Sequence, residues 1–274
     1  MSILFTIISI CYNDKFELEK TIKSIIKQEK VKNEIEYIIM DGGSNDGTLD
    51  MIENYKKQLV SKVVLRIYSE TDKGIYDAMN KAVVRAAGSW VIFMNAGDTF
   101  HSSSVMSEIE SIIAKSDYNA DIICGKVLKY NKWIQQEIVP PSIEYLKNDM
   151  IFCHQAIFFK REVHLKYLYD LSYKLVADYN TVLKMYLDGK KFDYVDVFIA
   201  DYNMDGASSA NILDTYKEIR KVRANNGIIK GGFIEFLLYR YGVLKRVILM
   251  KLPQKIRWKL VSIKRKILKG EAKF

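Results

Sequence analysis

Cysteine is scarce in this chain, and the spacing of the few that occur excludes two kinds of small stabilised domain. Only three stand among 274 residues, Cys11, Cys124 and Cys153, and no two of them form a Cys-x-x-Cys pair. An odd, widely spaced set does not build a disulfide framework or a structural zinc site. We therefore expect reduced thiols in a cytoplasmic protein.

Long apolar runs are also missing. No stretch reaches about 18 uncharged apolar residues, which is roughly the length that a membrane-spanning helix needs. The first residues lack a basic segment and a small-residue cleavage site, so the apolar run at 4–10 predicts a buried strand. We expect neither a signal peptide nor a spanning helix.

Acidic residues are nearly absent from the end of the chain. Residues 236–274 contain twelve Lys or Arg and one acid, Glu271, so this stretch carries a net charge of +11 while residues 1–235 carry −2. Apolar residues alternate with the basic ones, and Pro253 interrupts the helical pattern. Such a segment favours an anionic membrane surface over nucleic acid, for which no motif is present. We expect residues 233–274 to contact the membrane; a solvated face packed on the main domain is the alternative.

Apolar runs alternate with helical patterns through the first half. Strands are predicted at 5–10, 35–40, 63–68 and 90–95, with a helix after each of the first three. Repeated βαβ units predict an α/β fold with a mainly parallel sheet flanked by helices. The pattern becomes helical after residue 211, which predicts a main domain at 1–210 and a helical, basic region at 211–274.

Polar motifs follow the predicted strands, at the edge where parallel sheets bind ligands. They read YND at 12–14, DGGSNDGT at 41–48, ETDKGIYDAMNKA at 70–82 and NAGD at 95–98, with CHQ at 153–155 and ADY at 177–179 further on. Asp98, at the end of a buried strand, suits a hard cation such as Mg²⁺ or Mn²⁺. Asp178 suits a general base or a helix N-cap, and a lone histidine such as His154 is more often a packed or hydrogen-bonded residue than a catalyst.

Taken in this order, the motifs resemble the signature of glycosyltransferase family 2 over residues 3–205. The resemblance implies a GT-A fold, which is Rossmann-like, and an inverting enzyme that moves a sugar from a nucleotide donor, expected to be a UDP-sugar. The variant with NAGD and CHQ is most similar to bacterial transferases of capsule, exopolysaccharide and O-antigen synthesis. Their acceptor would be a glycan or a polyprenyl-linked glycan, and the enzyme would lie on the inner face of the cell membrane.

The resemblance also implies roles for individual residues. The donor would be held by a set of five: Tyr12, Asn13, Asp41, Asp72 and Asn95. Asp98 would hold Mn²⁺ or Mg²⁺ on the diphosphate, Asp178 would act as the base, and His154 and Gln155 would line the donor–acceptor cleft. The sequence departs from the family pattern at Asn95 and Gly97, where acids are common, and at Ala177, where an acid often precedes the base.

Two other functions compete with this hypothesis. A sugar nucleotidyltransferase would need a glycine-rich phosphate loop after the first strand, and residues 11–14 contain no glycine. An inactive scaffold that binds sugar nucleotides would account for the reduced acidic motif at 95–98. The presence of both Asp98 and Asp178 argues against the scaffold.

Overall fold

The computed structural model describes residues 3–130, 135–203 and 211–229, together with residues 237, 240–244, 247, 248, 251 and 252. Most of the predicted membrane-contacting segment, including everything from Pro253 onward, lies outside the described residues. The chain divides into two compact units, Met1–Pro140 with Phe152–Met204, and Pro141–Ile151 with Asp205–Phe274. The domain boundary expected at residue 210 stays a prediction.

The first unit begins with the predicted series of parallel strands. Its elements are β1 (Ile3–Cys11), α1 (Lys15–Ile26), β2 (Glu34–Asp41), α2 (Thr48–Val60), β3 (Val64–Ser69), α3 (Ile75–Arg85) and β4 (Trp90–Phe93). The strands lie in the order β3-β2-β1-β4 and are all parallel. β1 and β2 are nearly continuous buried runs, as expected of parallel strands covered on both faces.

The register of these strands brings the polar motifs together. Cys11 pairs with Asp41 at the ends of β1 and β2, so the loops at 12–14 and 42–47 start side by side. On the other flank of β1, Ile8 pairs with Phe93, and the Met94 N–H donates to the Ile8 carbonyl at 2.8 Å. The NAGD turn therefore leaves β4 next to the end of β1.

The second half of the unit adds strands of both directions. Its elements are β5 (Thr99–Phe100), α4 (Val105–Ile113), β6 (Ile122–Tyr130), β7 (Gln135–Ile138), a 3-10 turn (His154–Ala156), β8 (Ile157–Lys160), α5 (Arg161–His164), α6 (Ala177–Leu187) and β9 (Phe192–Asn203). The sheet continues from β4 through β8, β6 and β9 to β5, and β7 pairs with β6. β8 is antiparallel to its neighbours, whereas β6 and β9 are parallel. The predicted α/β class with a helix-flanked sheet is confirmed.

The 12-residue strand β9 is absent from the sequence-based prediction. Its sequence includes three aspartates, a residue type that is depleted in strands. Pairing with β6 from Ile122 to Tyr130 supplies backbone hydrogen bonds that stabilise the strand, although the local sequence does not predict one there. Tertiary pairing outweighs local propensity here.

A buried carboxylate contacts two neighbouring strands near the amino-terminal ends of the parallel strands, whereas the polar motifs follow their carboxyl ends. Glu36 on β2 accepts hydrogen bonds from Thr6 Oγ1 at 2.7 Å and Arg66 Nε at 2.6 Å, which come from the two neighbouring strands. The Ala87 N–H, just after α3, donates to the same carboxylate at 2.7 Å. Because each oxygen has a donor, the charge is compensated although Glu36 is fully buried.

The second unit contains a 3-10 turn (Ile143–Lys147) and α7 (Ile212–Asn225). Within it, Arg223 Nε donates to the Lys147 carbonyl at 2.9 Å. Residues 237, 240–244, 247, 248 and 251 are helical. Among the residues described, no helix is long and apolar enough to cross a membrane.

Candidate functional site

A cleft opens at the carboxyl ends of β1, β2 and β3. It has a volume of about 430 Å³, and it is lined by the end of β1, the loops that follow these strands and the first residue of α3: Ile10, Cys11, Tyr12, Gly42, Thr71, Asp72, Gly74 and Ile75. Two of the five predicted donor residues, Tyr12 and Asp72, are in this lining. Tyr12 is 65% exposed, so its ring is available to a flat ligand such as a nucleobase.

Gly42 permits the close approach of the two sides of the cleft. A Cβ atom at this position would lie 3.1 Å from Asp72 Oδ2 and 3.1 Å from Tyr12 Cδ2. Both distances are shorter than ordinary van der Waals contact. A larger residue would push Tyr12 and Asp72 from their present positions.

Asp41 and Asn13 organise the loops around the cleft. Asp41 is buried, and its oxygens accept hydrogen bonds from the Ser69 hydroxyl at 2.6 Å and from the N–H groups of Gly43 and Ser44. The Asn45 N–H donates to Asn13 Oδ1 at 2.9 Å, which ties the first loop to the second. Neither residue belongs to the cleft lining, and their direct contact with the donor stays a prediction.

The NAGD turn holds Asp98 in a buried position. Gly97 has a φ of 94°, a left-handed conformation that suits glycine, and the Asp98 N–H donates to the Asn95 carbonyl at 2.9 Å. Burial raises the pKa of Asp98 to about 6, because a carboxylate loses its hydration there. Gln155 Nε2 donates to Asp98 Oδ1 at 3.2 Å, so one predicted cleft residue contacts the predicted metal ligand directly.

His154 lies between the two predicted functional carboxylates. Its Nε2 is 3.9 Å from Asp98 Oδ2, and its Nδ1 is 3.9 Å from Asp178 Oδ2. Asn95 Nδ2 lies 3.2 Å from the same Nε2. An amide nitrogen only donates, so this contact leaves the ring proton on Nδ1, facing Asp178. The fold thus assembles four predicted site residues that are up to 83 positions apart in the chain.

Asp178 stands in the first turn of α6 and is not its N-cap. The N-cap is Val176, which makes no capping hydrogen bond through its side chain. Asp178 Oδ1 accepts hydrogen bonds from the Tyr179 N–H at 2.8 Å and from the Tyr76 hydroxyl at 3.1 Å. Asp178 Oδ2 faces His154. The capping alternative is therefore excluded, whereas the role of a base stays a prediction.

Sequence reasoning missed a row of polar side chains on and just after α1. Thr21 and Ser24 lie on the helix face that carries the buried Leu18, Ile22 and Ile25, and Gln28 follows two residues after the end of the helix. Gln28 Nε2 donates to the Ser102 carbonyl at 2.7 Å, and the Phe100 N–H donates to Ser24 Oγ at 3.3 Å. Thr21 contacts the NAGD turn itself. Polar residues at helical spacing inside an apolar stripe are the signal that would have identified this row.

The side chains around Asp98 suit a cation that draws most of its ligands from elsewhere. No group of three or more His, Cys, Asp or Glu that could hold a metal occurs in the described part of the chain. Asp98 Oδ2 offers one carboxylate oxygen, whereas the lone pair of His154 Nε2 already accepts the hydrogen bond from Asn95 Nδ2. Mg²⁺ and Mn²⁺ accept such a partial set when phosphate oxygens complete it. A cation would also offset the burial of the Asp98 charge.

The sequence and the fold of this chain are similar to those of known proteins. The chain is 28% identical over 216 residues to a PGL/p-HBAD biosynthesis glycosyltransferase of Mycobacterium bovis, which covers 77% of this chain and 81% of that protein. The structure of the present chain is similar to that of S. aureus TarS 1–349 in complex with UDP-GlcNAc. The TM-score is 0.68 at 16% identity, and the match covers 92% of this chain and 77% of TarS 1–349.

A second structural likeness is to the mannosyltransferase PcManGT of Pyrobaculum calidifontis, in complex with GDP-Man and Mn²⁺. Its TM-score is 0.65 at 14% identity, over 97% of this chain and 81% of PcManGT. At such identities the two likenesses show the GT-A fold alone. The sequence profile described as Glycosyl transferase family 2 matches residues 6–167, more than half of the chain. This protein belongs to glycosyltransferase family 2.

Proposed function

We propose that this glycosyltransferase moves a sugar from a UDP-sugar to a glycan or lipid-linked acceptor of surface polysaccharide synthesis, with inversion at the anomeric carbon. The observation that carries the proposal is the placement of His154, whose two ring nitrogens each lie 3.9 Å from a carboxylate, Asp98 on one side and Asp178 on the other. A diphosphate group near Asp98 and a sugar acceptor near Asp178 would then meet at this imidazole.

The cleft at 10–12 and 71–75 is the proposed site of the nucleotide. Its exposed Tyr12 ring can stack on a base, and Asp72 can accept hydrogen bonds from base or ribose. The complexes of TarS with UDP-GlcNAc and of PcManGT with GDP-Man support a nucleotide-sugar donor. The relative in PGL/p-HBAD biosynthesis supports a glycoconjugate product.

We propose that Asp98 would hold Mn²⁺ or Mg²⁺ next to the donor diphosphate. When bound there, the cation would act as a Lewis acid and offset negative charge on the leaving group. Gln155 would hold Asp98 Oδ1 by a hydrogen bond, so that Asp98 Oδ2 would be the oxygen that binds the cation. The Mn²⁺ in the PcManGT complex supports this assignment.

Asp178 would act as the general base in a single displacement. The acceptor hydroxyl oxygen forms a bond to the sugar C1 while its proton passes to Asp178 Oδ2. The bond from C1 to the diphosphate oxygen breaks, and the nucleoside diphosphate leaves with the electron pair. General base catalysis of this kind contributes about 10²–10⁴-fold to the rate.

The test compares nucleotide release from UDP-GlcNAc, UDP-glucose, UDP-galactose and GDP-mannose, with Mn²⁺ and with EDTA. We expect release from one donor class, its loss in EDTA, and a fall of about 10²-fold or more in Asp178→Asn and Asp98→Asn. Asp188→Asn, just beyond the end of the same helix as Asp178, is the matched control and is expected to keep full activity. Binding without turnover would support the scaffold instead.

We also propose that the enzyme is peripheral on the inner face of the cell membrane. Leu237, Tyr241, Leu244 and Ile248 recur at helical spacing, and all four are exposed. Arg240 and Lys251 are also helical, and both are exposed. Apolar side chains next to basic ones suit the anionic lipids of the cytoplasmic leaflet.

Vesicle flotation tests this location. The full chain is expected to float with vesicles of phosphatidylglycerol and phosphatidylcholine, and much less with phosphatidylcholine alone. Tyr241→Ser combined with Leu244→Ser and Ile248→Ser should reduce flotation. Val60→Ser combined with Val84→Ser removes exposed apolar groups from the first unit and should leave it unchanged. Equal flotation of all three proteins would refute the proposal, and so would a preference for nucleic acid.

A further inference from the structure

One short segment contains both a wall of the donor cleft and the residue that contacts Asp178. Thr71, Asp72, Gly74 and Ile75 line the cleft, and Tyr76 is the next residue. The Gly74 N–H donates to Asp72 Oδ1 at 2.7 Å, which fixes the turn that begins α3. The backbone of Tyr76 is therefore set by the same turn that shapes one wall of the cleft.

The Tyr76 side chain reaches across 102 positions of sequence to Asp178. Its hydroxyl donates to Asp178 Oδ1 at 3.1 Å. Burial, together with the negative charge of Asp178, raises the pKa of Tyr76 well above its ordinary value, so the phenol keeps its proton and remains a donor. The ring itself packs against the Tyr169 ring, with centroids 5.3 Å apart.

The two oxygens of Asp178 have different surroundings. Oδ1 receives two donors, the Tyr76 hydroxyl and the Tyr179 N–H. Oδ2 points to the His154 ring at 3.9 Å, the side on which Asp98 also lies. A carboxylate held through one oxygen cannot rotate freely, so its second oxygen keeps a constant direction.

We propose that Tyr76 is a positioning residue, which holds Asp178 Oδ1 so that Asp178 Oδ2 faces the acceptor hydroxyl. This role rests on the proposed function, because it assumes that Asp178 is the base. Tyr76 is the residue after Ile75 in the wall of the donor cleft, so its hydrogen bond also fixes the distance between Asp178 and the bound donor. Tyr76 itself touches neither the donor nor the acceptor in this role.

Tyr76→Phe in the full chain is the test, with release of nucleoside diphosphate from the donor panel named above as the assay. Phenylalanine keeps the ring that packs on Tyr169 and removes only the donor. We expect kcat to fall by about 10- to 100-fold, the range for a lost hydrogen bond to a charged group. KM for the donor and the Kd for UDP, measured by calorimetry, should change less than about twofold, a split that a general loss of structure would not produce.

Tyr167→Phe is the matched control. Tyr167 donates to Asp188 Oδ2 at 2.8 Å, a second tyrosine–aspartate pair that is mostly exposed. Its removal should leave kcat unchanged. In the double variant Tyr76→Phe with Asp178→Asn, the loss should equal that of Asp178→Asn alone, because Tyr76 acts through Asp178.

Three results would overturn the role of Tyr76. They are an unchanged kcat in Tyr76→Phe, an equal loss of kcat in Tyr167→Phe, and additive losses in the double variant. A wild-type protein that binds and turns over none of the four donors contradicts the proposed function itself, and the role of Tyr76 is lost with it. Turnover that is abolished in Asp178→Asn but untouched in Tyr76→Phe contradicts only the inference about Tyr76.

Discussion

The hydroxyl of Thr21 lies 2.8 Å from the carbonyl oxygen of Asp98, inside the first unit. The same hydroxyl accepts a hydrogen bond from the Gly97 N–H at 3.1 Å. Thr21 is fully buried, so water does not replace either contact. One side chain of α1 thus fixes the backbone of the turn that carries the predicted metal ligand.

Thr21→Val should lower both stability and turnover. It removes the hydroxyl but keeps the shape, which leaves the buried Asp98 carbonyl without this partner, at a cost of about 1–3 kcal/mol in the free energy of unfolding. A shifted Asp98 should lower kcat by about 10- to 100-fold. Urea unfolding and the donor-release assay measure the two effects. Thr21→Ser keeps the hydroxyl and should keep most of both; a serine variant as impaired as the valine variant would contradict the hydrogen-bond explanation.

Gly42→Ala should weaken nucleotide binding without unfolding the protein. The new methyl group would meet Tyr12 and Asp72 at 3.1 Å and force them apart by a few tenths of an ångström. We expect the Kd for UDP to rise by about tenfold, which corresponds to about 1.4 kcal/mol, and the melting temperature to change little. Titration calorimetry gives the Kd. An unchanged Kd would mean that nucleotides do not occupy this cleft.

The edge of the sheet at which the site lies was predictable from the sequence. Apolar runs such as 5–10 and 35–40 are β1 and β2, and parallel strands place the residues that follow them at one edge. Tyr12 and Asp72 line the cleft there, and Asp98 follows β4. Each of these positions depends on local pattern, which sequence periodicity records well.

Contacts between distant segments were not predictable in the same way. Tyr76 and Asp178 are 102 positions apart, and the sequence pattern around either residue does not predict that the two are in contact. The burial of Asp41 under its own loop also depends on Ser69 from the neighbouring strand. The convergence of His154 on Asp98 and Asp178 requires β8 to lie beside β4, an antiparallel pairing that the βαβ pattern does not predict.

Glu36→Gln should destabilise the first unit. The substitution removes the charge that Arg66 and Thr6 contact, and its amide nitrogen would face donors in place of an acceptor. We expect the free energy of unfolding to fall by about 2 kcal/mol, less than for a fully buried ion pair because Arg66 is half exposed. Denaturant unfolding measures this loss. Glu53→Gln, which breaks the exposed pair with Lys56, is the control and should cost at most about 0.5 kcal/mol.

Acid should destabilise the protein through His164. This side chain is fully buried among Phe93, Phe159 and Tyr169, and burial lowers its pKa to about 4 from 6.5. Between pH 4 and pH 6.5 the folded state therefore binds fewer protons than the unfolded state. The free energy of unfolding is highest above pH 6.5 and falls by about 3 kcal/mol as the pH falls to 4. His164→Phe removes the titrating group and should flatten this part of the curve of unfolding free energy against pH, whereas His101→Gln should leave it in place. Equal slopes in wild type and His164→Phe would show that other groups cause the acid loss.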